Sequence, residues 1–209
     1  MESGSLPQGQ GPVPTKAALG GQQAKGLPWF RRGPWVFVAM RSRKEMHMEW
    51  REVVEHPSLQ DLPFKIETNE WGQIVMTPAR GRHGIYQGII VRMLGKLARE
   101  GLIFIECPVR TSEGTRVADV AWGSTQFFLR NKDDDNPYPE SPEVAVEVKS
   151  PSNSEKAMKW KARLFFEGGA KEVWFCDDDG NMRFFNPQEE LGRSELFREF
   201  PGHLNIDVV

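Results

Sequence analysis

Apolar residues recur along this chain in two rhythms, every second residue in some stretches and every third or fourth in others. Met48 to His56 has the helical rhythm and stops at Pro57. Phe64–Thr68 and Gln73–Thr77 alternate like strands joined across Asn69-Glu70-Trp71-Gly72, and Pro78 to Gly84 reads as a loop. The clearest amphipathic helix follows, running to Glu100 and ended by Gly101. Ile85, Ile89, Met93 and Leu97 form its stripe, widened by Ile90, Leu94 and Ala98. Leu102–Cys107 reads as a strand closed by Pro108, and Arg116–Trp122 as the next strand. Asn131–Pro142 is a polar loop containing Asp133-Asp134-Asp135, which lacks the alternating ligands of an EF-hand and reads as solvated.

A buried strand, Val144–Lys149, comes next. Ser152 with Glu155 forms a capping-box signature for a helix reaching about Glu167, broken by Gly168-Gly169. Glu172–Cys176 and Met182–Phe185 predict a hairpin around Asp179-Gly180, and a polar tail ends in a loose strand, Leu204–Val209. This order predicts an α/β domain, a mixed sheet with helices on its faces. Residues 1–28, rich in Gly, Gln, Pro and Ala without periodicity, read as disordered. Residues 29–40 are either a partner- or membrane-adhering tail or non-native sequence ahead of a start at Met40, Met46 or Met48. The domain boundary is accordingly placed between residues 40 and 41.

Composition narrows the class without naming it. The 209 residues are 39% hydrophobic and 27% charged, as expected of one globular domain. A net charge of −2 offers no overall basic field. Seven Lys/Arg against three Asp/Glu fall in residues 1–50, leaving an acidic excess in the rest. No apolar run approaches the roughly 20 residues of a membrane span, and no signal-peptide core is present. Cys107 and Cys176 sit far apart in apolar runs and read as buried free thiols of a cytoplasmic protein. No His/Cys cluster suggests zinc, and no Gly-rich loop suggests a nucleotide cofactor. Trp160 and Trp174 read as core residues.

The chemistry gathers between Arg116 and Lys149. Asp119 sits in one strand; Glu147 and Lys149, two apart, share a face of another. If the strands are neighbours, two carboxylates and a lysine converge, a pattern suited to Mg²⁺ with a positive charge beside it. A structural ion cluster is the competing interpretation. Lys161, on the apolar side of its helix, either snorkels or points into the site. Glu70 is a candidate further metal ligand or a solvated turn residue. Arg80, Arg82 and His83, ahead of the long helix, oppose its dipole as structural residues and are candidate DNA contacts, or else a solvated loop.

The pattern Ala118-Asp119…Glu147-Val148-Lys149 resembles the D…ExK motif of the PD-(D/E)XK nuclease superfamily. With Met76-Thr77-Pro78, Pro142 to Ser152, Lys161 and Gly169 to Trp174, residues 49–186 resemble the Uma-type restriction endonuclease family. The resemblance implies a restriction-endonuclease-like core and a Mg²⁺-dependent DNA endonuclease, with Mn²⁺ able to substitute. In it Asp119, Glu147 and the Val148 backbone carbonyl would bind metal and Lys149 would position the attacking water. DNA is the implied partner, a homodimer a possible assembly, and a catalytically silent nucleic-acid-binding or regulatory module on the same fold the alternative. Ala118 replaces the motif's leading proline, and Ala157 stands where relatives often carry an acidic residue.

Overall fold

A computed structural model describes residues 36–37, 49–78, 80–133, 136–150 and 154–206. The elements run β1 (Val36–Phe37), α1 (Trp50–Glu55), β2 (Phe64–Thr68), β3 (Ile74–Pro78), α2 (Gly81–Leu97), β4 (Leu102–Thr111), β5 (Gly114–Gly123), α3 (Thr125–Arg130), β6 (Val144–Val148), α4 (Glu155–Glu167), β7 (Glu172–Cys176), β8 (Met182–Phe185) and β9 (Glu190–Leu191). All of these elements lie in one compact unit, Pro34–Val209. The expectations for residues 1–40 fall outside the described residues except at Val36 and Phe37, whose backbones pair with Met76 and Val75.

A six-stranded sheet in the order β4-β5-β6-β7-β8-β9 forms the centre. It is mixed: β6 and β7 run parallel, linked across α4, and every other pair is antiparallel. Alternation decides what each face covers. Val144, Val146 and Val148 of β6 pack with Tyr86, Ile90 and Leu94 of α2. Ala145 points the other way, into a cluster with Met158, Ala162 and Phe165 of α4. Cys176 joins the first cluster and Cys107 the second, both as free thiols. A smaller antiparallel sheet, β1-β3-β2, packs through Ile74 and Met76 against Trp50, Val53 and Val117. Among the described residues no helix is long and apolar enough to cross a membrane.

Several boundaries differ from the sequence expectation. Helix α2 begins at Gly81, so Arg82 and His83 lie in its first turn rather than in a loop; nothing crowds the faces of Gly81 and Gly84, and tertiary packing outweighs their low helix propensity. Its buried line is Tyr86, Ile90 and Leu94, and Ile85 is exposed. Strand β4 does not stop at Pro108. It continues to Thr111, as the edge strand, where the missing amide hydrogen costs no ladder bond. The cap of α4 is Ser154, whose hydroxyl accepts from the Ala157 amide; Ser152 lies outside the described residues, as do Asp134 and Asp135. Helix α3, capped by Ser124, occupies a stretch with no predicted element. The expected strand from Leu204 does not form over the described residues to 206: Leu204 packs in the core and donates its amide to the Gly180 carbonyl. Trp174 is core as expected, whereas Trp160 is 38% exposed.

Candidate active site

Strands β5 and β6 pair only at Val120–Trp122 with Val144–Val146, then diverge. Divergence strips backbone groups of their ladder partners, and buried groups must find others. Side chains supply them. Asp119 Oδ2 accepts from the Val148 amide at 2.7 Å, and Glu67 Oε1 accepts from the Val117 amide at 2.8 Å. Lys161 Nζ donates to the Val117 carbonyl at 3.0 Å. Charged residues are therefore held in a cleft of the sheet because the backbone there needs them.

On its other side β5 pairs with β4, and that ladder is interrupted at one place. Residues on both sides of Glu106 and Asp119 pair in register, but these two do not. Glu106 has a positive φ of 52°, an uncommon conformation for a residue with a side chain. Gln87 of α2 reaches the gap, its Nε2 lying 3.1 Å from Glu106 Oε1 and 3.4 Å from the Asp119 carbonyl. Beyond the gap the face changes: Ala118 and Ala121, three apart, pack in the same cluster. Asp119 sits at that irregularity, 1% exposed.

The side chains form one ionic cluster. Lys65 of β2 is hydrogen-bonded to Asp119 Oδ1 and lies 4.0 Å from Glu147 Oε2. His83 Nε2 is 3.3 Å from Asp119 Oδ1. Lys161 of α4 bridges Glu67 and Glu147, its ammonium 2.8 Å from an oxygen of each. The ammonium straddles the Glu147 carboxylate, 2.8 Å from Oε1 and 2.9 Å from Oε2, with the directed hydrogen bond going to Oε2.

Burial and charge set the protonation states. Burial opposes ionisation of Asp119, but Lys65 and His83 outweigh it and hold the carboxyl well below its usual range. Glu67 is likewise lowered, against burial, by Lys161 and Lys65. Glu147 goes the other way. Burial pushes it up to about 7, reinforced by the neighbouring Asp119 and Glu67 charges and only partly offset by the two lysines. Lys65 is raised well above the ordinary amine, its carboxylate neighbours overcoming burial, and His83 is raised by its bond to Asp119.

Of the residues singled out in the sequence, the fold brings together Asp119, Glu147, Lys161 and His83. Lys149 is placed differently. It makes no hydrogen bond or ion pair with either carboxylate among the described residues, and it does not line the cavity. Strand β6 ends at Val148, which frees Lys149 from the alternation that would align it with Glu147. Glu70 is exposed in the turn after β2, and the carboxylate that β2 delivers is Glu67. Arg80 lines the cavity, whereas Arg82 is exposed and does not line it. Lys65 and Glu67 were missed. Their signal was the alternation Phe64-Lys65-Ile66-Glu67-Thr68, which puts both on one face, but nothing local distinguishes that face from a solvated one.

The donor set suits a hard divalent cation. Asp119, Glu147 and Glu67 offer only oxygen, and the Lys65 and Lys161 ammonium groups occupy those oxygens here. Mg²⁺ needs only one or two carboxylates beside water and substrate. Among the described residues no three His, Cys, Asp or Glu side chains make a complete protein cage.

Residues 57–203 match the family described as "Uma2: Putative restriction endonuclease". In fold the protein is similar to a crystal structure from Anabaena variabilis ATCC 29413 described as "a putative nuclease belonging to DUF820". The TM-score is 0.55 at 19% identity, covering 66% of this chain and 86% of that one. No curated protein matches the chain.

Proposed function

The chain belongs to the Uma2 family, and we propose from that premise that it is a Mg²⁺-dependent DNA endonuclease working at the cleft between β5 and β6. The observation that carries the reading is the pair of buried carboxylates, Asp119 and Glu147, sharing the Lys65 ammonium where the two strands part. Asp119 and Glu147 would hold the metal, with the Val148 carbonyl as the backbone ligand. When bound, the metal would neutralise phosphate charge and make a bound water more acidic.

The chain's own residues do the rest. Hydrolysis joins water oxygen to phosphorus, breaks one P–O bond to sugar, and passes one water proton to the leaving oxygen and the other to solvent. The Val148 amide and His83 fix the orientation of Asp119. Lys65 balances charge at Asp119 while no divalent ion is there. Lys161, held by Glu67 and the Val117 carbonyl, keeps an ammonium beside Glu147 where negative charge develops on the phosphate. That placement favours Lys161 over Lys149 for the electrostatic role. The free buried thiols suit a reducing compartment such as the cytoplasm.

Plasmid cleavage with Mg²⁺ or Mn²⁺ tests the reading, with Glu147→Ala as control. Nicking or linearisation that needs both the metal and Glu147 supports it. A cluster already compensated by two lysines also supports a second reading, a nucleic-acid-binding module without cleavage. That module would retain DNA in a gel shift and leave plasmid intact with either metal.

A further inference from the structure

Resting on the nuclease reading above, we propose that the cleft takes unpaired DNA, and that Trp160 is the surface on which an unstacked base lies. The carboxylates are at the floor of a cavity of about 780 Å³. Asp119 is 1% and Glu147 3% exposed, too recessed for a phosphate on the outside of a stiff, wide duplex to reach them without distorting it. A cavity of this size suits a small ligand, and one nucleotide swung out of a stack or carried by a flexible single strand fits the description.

The walls point the same way. Duplex DNA turns phosphates outward, and a protein that grips it does so with basic residues. The cavity has basic residues, Arg80, Arg116 and the two cluster lysines that carboxylates already hold, but Val54, Leu62, Phe64 and Trp160 line it too and belong to the exposed large hydrophobic residues of the surface. Apolar and aromatic surface offers little to a phosphate but suits the face of a base, which stacks on aromatic rings whatever its sequence. Trp160 stands on α4, one residue before Lys161, so the ring and the ammonium of the cluster come from the same helical turn. The Arg116 guanidinium lies 4.6 Å from the Trp160 ring centre and steadies it.

Arg116 supplies the second, independent observation. It is buried and lines the same cavity, yet its Nε hydrogen has no acceptor. The guanidinium keeps its Nη1 bond to the Thr68 carbonyl, and the one Nε hydrogen left without an acceptor is a donor that a phosphate oxygen in the cavity would satisfy. Base on Trp160, phosphate near Arg116, and the carboxylates at the floor make one continuous nucleotide site.

The test uses the full chain and one short oligodeoxynucleotide sequence, prepared as a labelled single strand and as a blunt duplex. Binding is measured by fluorescence anisotropy in EDTA, which suppresses metal-dependent cleavage. The single strand should bind at least tenfold more tightly than the duplex. Trp160→Ala should weaken single-strand binding by roughly tenfold, the scale of one lost base stack, and Trp160→Phe, which keeps a ring, should retain most of it. Equal or tighter duplex binding, no binding of either form, or an unchanged Trp160→Ala would overturn the proposal. So would a Trp160→Phe that loses as much as Trp160→Ala, because the ring would then act only as packing. If Trp160→Ala does not fold, the strand preference of the wild type and the behaviour of Trp160→Phe still decide. Cleavage of both forms with Mg²⁺ or Mn²⁺ is followed separately. Absence of cleavage with the strand preference intact would remove the nuclease reading and leave the nucleotide site standing, while faster cutting of duplex than of single strand would remove the site.

Discussion

Asp119 and Glu147 share a lysine yet titrate in opposite directions, and the difference comes from how many donors each acid has. Asp119 has Lys65, His83 and the Val148 amide; both Glu147 oxygens share the one Lys161 ammonium, with Lys65 4.0 Å away. The sign of the stability effect follows. Glu147 has a folded pKa of about 7 against an ordinary 4.5, so the folded state binds the proton more tightly than the unfolded one. That stabilisation is complete below pH 4.5 and is lost as pH rises to about 7. Glu147→Gln stays neutral throughout and escapes the loss. In EDTA it should match the wild type near pH 5 and exceed it at pH 8 by on the order of 1–3 kcal/mol, several degrees in Tm. Thermal melts at the two pH values check this; a variant destabilised at pH 8 would make Glu147 a structural ion-pair partner. The two lysines separate at the same scale. Lys161→Ala strands Glu147 and Glu67 in a buried site and should cost about 3–5 kcal/mol. Lys149→Ala breaks no ion pair among the described residues and should stay within about 0.5 kcal/mol and retain cleavage. Loss of cutting by a stable Lys149→Ala protein would return the catalytic ammonium to Lys149.

At the scale of elements, the small sheet delivers half of the cluster. β2 carries Lys65 and Glu67, and it is fastened to β5 by contacts from Thr68: its hydroxyl accepts from the Thr115 amide at 2.8 Å and its carbonyl accepts from Arg116. The turn between β4 and β5 is pressed against that fastening. Gly114 has a φ of +94°, and a Cβ there would lie 2.5 Å from the Asn69 carbonyl oxygen and 2.6 Å from that of Thr68. Gly114→Ala is therefore strained in backbone and in space, and both carbonyls belong to β2 or its turn. It should destabilise by more than about 1 kcal/mol and also reduce any rise in Tm on adding Mg²⁺, because Lys65 and Glu67 would move with the strand. A variant that melts lower but keeps the full Mg²⁺ shift would mean that the small sheet does not shape the metal site.

The same element explains what the sequence could and could not disclose. β2, β7, β8 and the extent of α4 were legible because each is a short run with one period and a Gly, Pro or polar boundary. Asp119 and Glu147 stood out because a charge interrupts an apolar strand. Lys65 and Glu67 alternate with apolar residues as any half-exposed strand does, and only contacts some fifty residues away in sequence, Glu67 with Val117 and Lys65 with Asp119, draw them inward. Lys149 stands one residue past the end of β6, where strand alternation no longer fixes which way a side chain faces.

Over the whole molecule, charge limits how DNA can be held. The chain carries −2 overall, so a polyanion gains no general attraction and must be held locally. In the cavity the guanidinium groups are Arg80 and Arg116, and both cluster lysines are engaged with carboxylates. Each phosphate neutralised on a single strand releases counterions with a slope of about −0.7 in log K against log salt. Two guanidinium contacts therefore predict a slope near −1.4, shallow beside proteins that track a backbone with many lysines. Base stacking, which is insensitive to salt, would make up the affinity. Anisotropy titrations of the single strand across a salt series measure the slope directly. A slope several times steeper would mean that a longer basic surface carries the strand, and that the cavity accounts for only a small part of the binding.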